Sequence, residues 1–106
     1  MTLSSVSPAL DFEDLGGGRF KLTGHLGFDT AHYALHHSRS LFADHKRIQL
    51  DLSGVSSTDS AGLALLVEWT GWARREKRKL TLTHVPKQAM ALAKISEVDE
   101  LLPVGR

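Results

Sequence analysis

Asp51-Leu52-Ser53-Gly54-Val55-Ser56-Ser57-Thr58-Asp59-Ser60-Ala61-Gly62-Leu63 is the stretch that decides how this chain is organised. Leading into it, Ile48, Leu50 and Leu52 alternate with Gln49, Asp51 and Ser53, the period of a strand with one buried face. The small residues that follow predict a turn, and then a helix over about residues 61–78. Asp59 or Ser60 is placed to cap that helix, because either short side chain can accept a bond from a free N–H of the first turn. Gly62 leaves the first turn bare, so that another molecule can approach its backbone.

Plotted at about 100° per residue, the central helix has two apolar stripes. Leu63, Leu66, Val67, Thr70 and Ala73 make one, wide enough to cover a sheet. Leu65, Trp69 and Trp72 make the other, on the opposite side. Spacings of four and three make these last residues mutual neighbours. Together they offer about 400 Å² of apolar surface, more than a lone monomer usually leaves in one patch. The expectation is a partner-binding surface.

Working outward, three more segments alternate with period two. Leu10 and Phe12 oppose Asp11 and Glu13; Phe20, Leu22 and Leu26 oppose Arg19, Lys21, Thr23 and His25; Leu80 and Leu82 oppose Thr81 and Thr83. Four alternating strands mean a sheet with one wet face, which excludes a doubly wound fold and puts every helix on the other side. Leu15-Gly16-Gly17-Gly18 predicts a hairpin between the first two strands. Residues 28–44 read as a helix capped by Asp29, with Ala31, Ala34, Leu35, Ser38, Leu41 and Phe42 as its inward stripe. The central helix makes a right-handed parallel crossover between the third and fourth strands. Pro86 can open a third helix with Ala89, Leu92 and Ala93 facing in, and Val98, Leu101 and Leu102 form a short apolar tail before Pro103. The fold class expected is α/β, of an α+β-like kind: a small mixed four-stranded sheet with helices packed on one face. One domain over residues 8–104 follows, with residues 1–7 as a flexible lead-in.

Composition bounds the function. The chain has 106 residues, 42% hydrophobic and 24% charged, with a net charge of +1 and no cysteine. That balance argues against a nucleic-acid partner, and the lack of cysteine excludes a disulfide framework and a Cys-based zinc site. The first residues have no basic, then apolar, run of a secretory signal, and no stretch approaches the roughly 20 apolar residues of a membrane span; the expectation is a cytoplasmic domain. His32 and His36 stand one helical turn apart, but two ligands are too few for a metal site. Arg74, Arg75, Lys77, Arg78 and Lys79 suit the negative end of the central helix. No spacing selects a Ser-His-Asp set, and the Gly16 to Gly18 run lacks the Lys-Ser/Thr of a phosphate loop. Neither an enzyme nor a cofactor is expected.

The run from Asp51 to Leu63, a strand with Asp-Leu-Ser, a turn, and Asp-Ser-x-Gly-Leu opening a helix, resembles the signature of the STAS family (sulfate transporter and anti-sigma factor antagonist domains). Within the family, residues 58–67 and the Ala91-Leu92-Ala93-Lys94 segment look most similar to the small STAS subunit of Mla-type phospholipid ABC transporters. The resemblance implies a non-catalytic cytoplasmic subunit that binds the transporter's ATPase, and through it the permease, at the cytoplasmic face of the inner membrane. Such a subunit supports the maintenance of outer-membrane lipid asymmetry in Gram-negative bacteria. Its membrane association is indirect. The alternative that the family implies is an anti-sigma factor antagonist, with an anti-sigma factor or serine kinase as partner and Ser60 as the phosphorylated residue. Ser60 falls where the family keeps Ser or Thr and does not separate the branches, and Ala61 stands where the transporter branch often has Gly. A ligand-sensing module is a third reading, with no pocket signal in the sequence.

The expected partner-binding residues are therefore Thr58, Asp59, Ser60, Ala61, Gly62, Leu65, Trp69 and Trp72. The apolar stripe favours the transporter reading, because a lasting interface tolerates a large greasy patch that a freely cycling protein avoids. On this reading Trp69→Ala and Trp72→Ala reduce partner binding more than thermal stability.

Overall fold

The structure is a computed structural model that describes residues 9–105; the lead-in expected at residues 1–7 lies outside them. Four strands, β1 (Leu10–Gly16), β2 (Arg19–Leu26), β3 (Arg47–Thr58) and β4 (Lys79–Thr83), form one sheet in the order β1-β2-β3-β4. β1 pairs antiparallel with β2 through the glycine turn, while β2, β3 and β4 run parallel. The crossovers are α1 (Ala31–Phe42) between β2 and β3, and α2 (Ser60–Arg75) between β3 and β4; α3 (Lys87–Ile95) follows β4. Among the described residues no helix is long and apolar enough to cross a membrane.

The alternation sorts the two faces of the sheet as expected. Leu10, Phe20, Leu22, Leu26, Ile48, Leu50, Leu52, Leu80 and Leu82 are buried in one core with residues of all three helices. Arg19, Thr23, Gln49 and Ser53 on the other face are exposed. The inward stripes of α1 and α3 hold in part: Ala34, Ser38 and Phe42 of α1 and Ala89 and Ala93 of α3 are buried, while Ala31, Leu35, Leu41 and Leu92 are half-buried. After α3, Leu102 enters the core and Val104 bridges Leu82 in parallel, extending the sheet edge by one contact.

Two local expectations change. The predicted turn after Ser53 is strand: β3 runs on to Thr58, kept in the sheet by pairing Gly54 with Thr23 and Ser57 with His25 across two irregular steps of register. Small residues of low strand propensity are held there by their neighbour strand rather than by their own preference. At α1, the N-cap is Thr30 and not Asp29, and its hydroxyl turns back into the loop to bond the His25 carbonyl at 2.8 Å.

The largest correction concerns the second stripe of α2. Leu65 is 4% exposed and Trp69 only 2%. α1 lies alongside α2, and the Trp69 indole fills the space between α1 and β1, edge-on to Phe42 at 5.8 Å and to Phe12 at 6.1 Å between ring centroids. Its Nε1–H donates to Ser38 Oγ at 2.9 Å, and that hydroxyl donates on to the Leu35 carbonyl. A buried indole needs such an acceptor, which explains a serine in the inward stripe of α1. Trp72, one turn on, is half-buried, with the Arg78 guanidinium carbon 5.1 Å from its ring centroid, within cation–π range. Arg78 lies beyond α2, and its Nη1 donates to the carbonyls of Phe42, Ala43 and His45. It thus satisfies the C-terminal end of α1 rather than that of its own helix.

Trp69 and Trp72 should therefore separate in denaturant unfolding. Trp69→Ala is expected to cost about 3–5 kcal/mol, and Trp72→Ala about 1–2 kcal/mol because part of its ring stays in water. Ser38→Ala should cost about 1–3 kcal/mol by leaving the indole N–H unpaired. Equal losses for the two tryptophan variants would contradict this packing.

Candidate functional site

β2 and β3 end side by side, and each leads straight into a helix, so two loops and the N-terminal end of α2 converge there. Asp59, the only residue between β3 and α2, ties them together. Its Oδ1 accepts from the N–H groups of Ala61 at 2.9 Å and Gly62 at 3.1 Å, and its Oδ2 accepts from the N–H of Phe28 at 3.1 Å. One carboxylate thus caps α2 and also fixes the β2–α1 loop. Asp59 is the cap; Ser60, the other candidate, is the first helical residue and is exposed.

The N–H groups of Phe28 and Gly62 above all, with that of Ala61 and the nearby His25, hold the Asp59 carboxyl below its ordinary value against the opposing effect of burial. His25 Nε2 stands 3.8 Å from Asp59 Oδ2, and its Nδ1 lies 2.7 Å from Ser57 Oγ. The fold therefore assembles a serine, a histidine and an aspartate that no sequence spacing selected. The arrangement does not have the geometry of a nucleophilic triad. The histidine–carboxylate separation exceeds a hydrogen bond, and the carboxylate oxygens are already taken by backbone N–H groups that hold it as an anchor.

The eight expected partner-binding residues divide. Ser60 is exposed, and Asp59, Ala61 and Trp72 reach the surface in part. Thr58, Gly62, Leu65 and Trp69 are buried, and the expectation of a partner-facing role for them is corrected. Thr58 Oγ1 donates to the Leu26 carbonyl at 2.6 Å. A Cβ at Gly62 would run into that same carbonyl and the Thr58 hydroxyl. The glycine is thus required so that α2 can start tight against the end of β2, not so that a ligand can approach.

What the surface does offer is a groove between α1 and α2. A hollow of about 420 Å³ is lined by Ala31, His32, Leu35, Ala61, Ala64 and Glu68, with Leu65 beneath. A second, of about 240 Å³, shares Leu35 and Glu68 with it and continues to Trp72 and Arg75. Phe28, 81% exposed, stands in the loop that the Asp59 carboxylate holds. An aromatic ring left in water on a fixed loop is a strong candidate for an interface anchor. Phe28 was not singled out in the sequence, where it reads as the start of a helix; its position between Gly27 and Asp29, two residues that favour turns, is the signal that marks a loop.

With this geometry in view, comparison with known proteins places the chain. A family model described as "Mlab, STAS domain" matches residues 13–103. The chain belongs to this family. No curated protein matches the sequence. Among solved structures, the protein TM1081 of Thermotoga maritima, whose crystal structure is described as that of a candidate anti-sigma factor antagonist, shares 17% identity. It aligns over 90% of this chain and 84% of its own, with a TM-score of 0.66. The NMR structure of TM1081 gives a TM-score of 0.70 over 89% and 78% of the two chains. The anti-sigma factor antagonist SpoIIAA in its unphosphorylated form shares 13% identity over 92% and 89%, with a TM-score of 0.59. At these identities the solved structures establish the STAS fold of this MlaB-like domain, and the sheet order and three helices agree with it.

The anchoring role of Asp59 has a pH signature. A carboxyl whose folded pKa lies below its unfolded value of 3.8 binds fewer protons when folded, so its stabilisation is complete above that value and is lost as pH falls through the folded one. Asp59→Ala should cost about 0.5–2 kcal/mol at neutral pH. Asp59→Asn should cost less, since its amide oxygen can still cap α2. Urea unfolding from pH 7 to 3 should show a shallower acid loss in Asp59→Asn than in the wild type. Some slope remains from Asp51, whose carboxyl is lowered by the Ser53 N–H and by His84 despite its burial. Identical pH slopes in the two proteins would show that Asp59 is not the anchor.

Proposed function

We propose that this STAS domain is a non-catalytic docking subunit, and that its partner is the ATPase of an Mla-type phospholipid ABC transporter, at the cytoplasmic face of the inner membrane. The observation that supports this most is the exposed Phe28 ring on the loop that Asp59 ties to the start of α2, where exposed Ser60 opens the helix and Ala61 lines the apolar α1–α2 groove. An aromatic anchor, a small polar residue at a helix start and an apolar trough together suit a protein partner rather than a small substrate. The MlaB-type family model supports the transporter branch. In this reading Ser60, Ala61 and Trp72 line the interface, Asp59 holds it in shape, and buried Leu65 and Trp69 support it from within the core.

A second reading, an anti-sigma factor antagonist regulated by a serine kinase, is favoured by one observation. The Ser60 hydroxyl is exposed and has no hydrogen-bond partner among the described residues, which leaves it open to modification. A phosphate there would bring about −1.5 to −2 charges next to Asp59, and would disrupt docking.

Co-purification with the host's transporter ATPase tests the proposal. Phe28→Ala should weaken capture by about 30-fold, the effect of losing a hot spot worth about 2 kcal/mol. Its unfolding free energy should stay within about 0.5 kcal/mol of the wild type, because the ring is in water. Ser60→Asp should weaken capture in the same way. Unaltered capture by both variants would refute the docking site, and recovery of a small serine kinase in place of the ATPase would select the second reading.

A further inference from the structure

The helices cover one face of the sheet; the other face has a charge pattern that the docking role does not use. We infer that its lower end binds a phosphate-bearing anion between Arg19, Arg47 and Lys79. Strand alternation turns these three side chains to the open face, at the starts of the parallel strands β2, β3 and β4. Arg47 lies directly opposite Lys79 in the β3–β4 register. Like charges at directly opposed positions are unfavourable, and Arg47 lies on the interior strand β3, where it protects no sheet edge. The ion pairs among the described residues are His25–Asp59, Arg75–Glu68 and His84–Asp51, none of which neutralises this cluster. Lys21, two residues along β2, has Glu13 and Asp51 as its cross-strand neighbours. Carboxylates thus accompany the cation in the middle of the face and are missing around the three at its lower end.

The cluster is concave. A groove of about 310 Å³ runs from the hairpin turn to β4, and its polar side chains besides the three cations are Gln49 and Thr81. Gln49 lies opposite Arg19 on one side and Thr81 on the other. All five can donate hydrogen bonds, and no carboxylate lines the groove. Gly17 and Gly18 form the remaining wall without side chains. Gly18 has φ +84° and a Cβ there would run into the Arg47 carbonyl, so glycine lets the turn close down on the start of β3. Two guanidinium groups and an ammonium suit the tetrahedral oxygens of a phosphoryl group, which arginine can bind through two parallel bonds. The volume accommodates a diphosphate or a phosphate ester. The shared chemistry is the phosphoryl group, whether it comes from a soluble compound or from a phospholipid headgroup. The site lies on the opposite face of the sheet from the α1–α2 groove, so the inference does not depend on the identity of the docking partner.

Thermal unfolding and calorimetric titration of the full chain at low salt, with sodium pyrophosphate as the probe, test the inference. Saturable binding and a rising unfolding temperature are expected for the wild type, beyond the effect of chloride at equal ionic strength. Arg47→Gln and Lys79→Gln should each weaken binding at least about tenfold, while Arg74→Gln, outside the groove, should not. Without the anion, Arg47→Gln should be at least as stable as the wild type, because a like-charge pair is removed; this shows that lost binding is not lost folding. A flotation arm uses phosphatidylglycerol and phosphatidylcholine vesicles. Pyrophosphate binding without vesicle capture identifies a soluble ligand, and Arg47-dependent capture by phosphatidylglycerol vesicles alone identifies a headgroup. A pyrophosphate effect matched by chloride or unchanged in Arg47→Gln, with no Arg47-dependent vesicle capture, would overturn the inference.

Discussion

The bonds that Asp59 accepts at once from the start of α2 and from the Phe28 N–H constrain everything else at the working end of this domain. A helix start leaves several backbone N–H groups without partners, and a surface loop such as the one after β2 has no partner strand to hold it. A single carboxylate meets both needs because β2 and β3 end in register, with Leu26 opposite Thr58. The negative charge is also favoured there by the helix dipole. The Asp59 side chain is 43% exposed, so the gain is geometric more than electrostatic: exposed charges interact weakly, but three directed bonds, two to the helix start and one to the loop, tie the two together.

From that constraint the packing of α2 follows. Gly62 and Thr58 bring the first turn of the helix hard against the Leu26 carbonyl, and the helix then runs over the sheet with α1 at its side. Trp69 of α2 fills the space between α1 and β1, and its indole N–H finds the buried Ser38 hydroxyl of α1. Between α1 and α2 the small residues Ala31, Ala61 and Ala64 line the surface and leave a trough. This surface is more mixed than a bare apolar stripe, with His32 and Glu68 beside the apolar residues.

Much of the fold was legible because its signals are local. Period-two alternation in four segments dictated a one-sided sheet, the glycine run dictated a hairpin, and Asp59-Ser60 marked a helix start to within one residue. What was not legible depends on contacts distant in sequence. Leu65 and Trp69 make a second apolar stripe on any helical projection, and no projection of α2 shows that α1 covers it; Ser38, 31 residues away, is the partner that a reading of α2 alone omits. Ser53 to Thr58 read as turn because small residues have little strand preference, and pairing with β2 overrides that. Phe28 was hidden for the opposite reason: an isolated aromatic looks like core until the loop carrying it is shown to face water. Thr58 and Gly62 were assigned to the right place in the chain but to the wrong neighbour, since the group close to them belongs to β2 and not to a partner.

The two faces of the sheet differ: the helical side carries the apolar trough and the open side a cluster of cations. The account rests on the Asp59 bridge, and amide hydrogen exchange followed by NMR reads it directly. In the wild type the Phe28, Ala61 and Gly62 amides should all be protected. In Asp59→Asn the Phe28 amide should exchange freely, since the amide nitrogen that replaces Oδ2 cannot accept its bond, while Ala61 and Gly62 stay protected by the remaining oxygen. Unchanged protection of Phe28 in Asp59→Asn would contradict the claim that this carboxylate holds the β2–α1 loop in place.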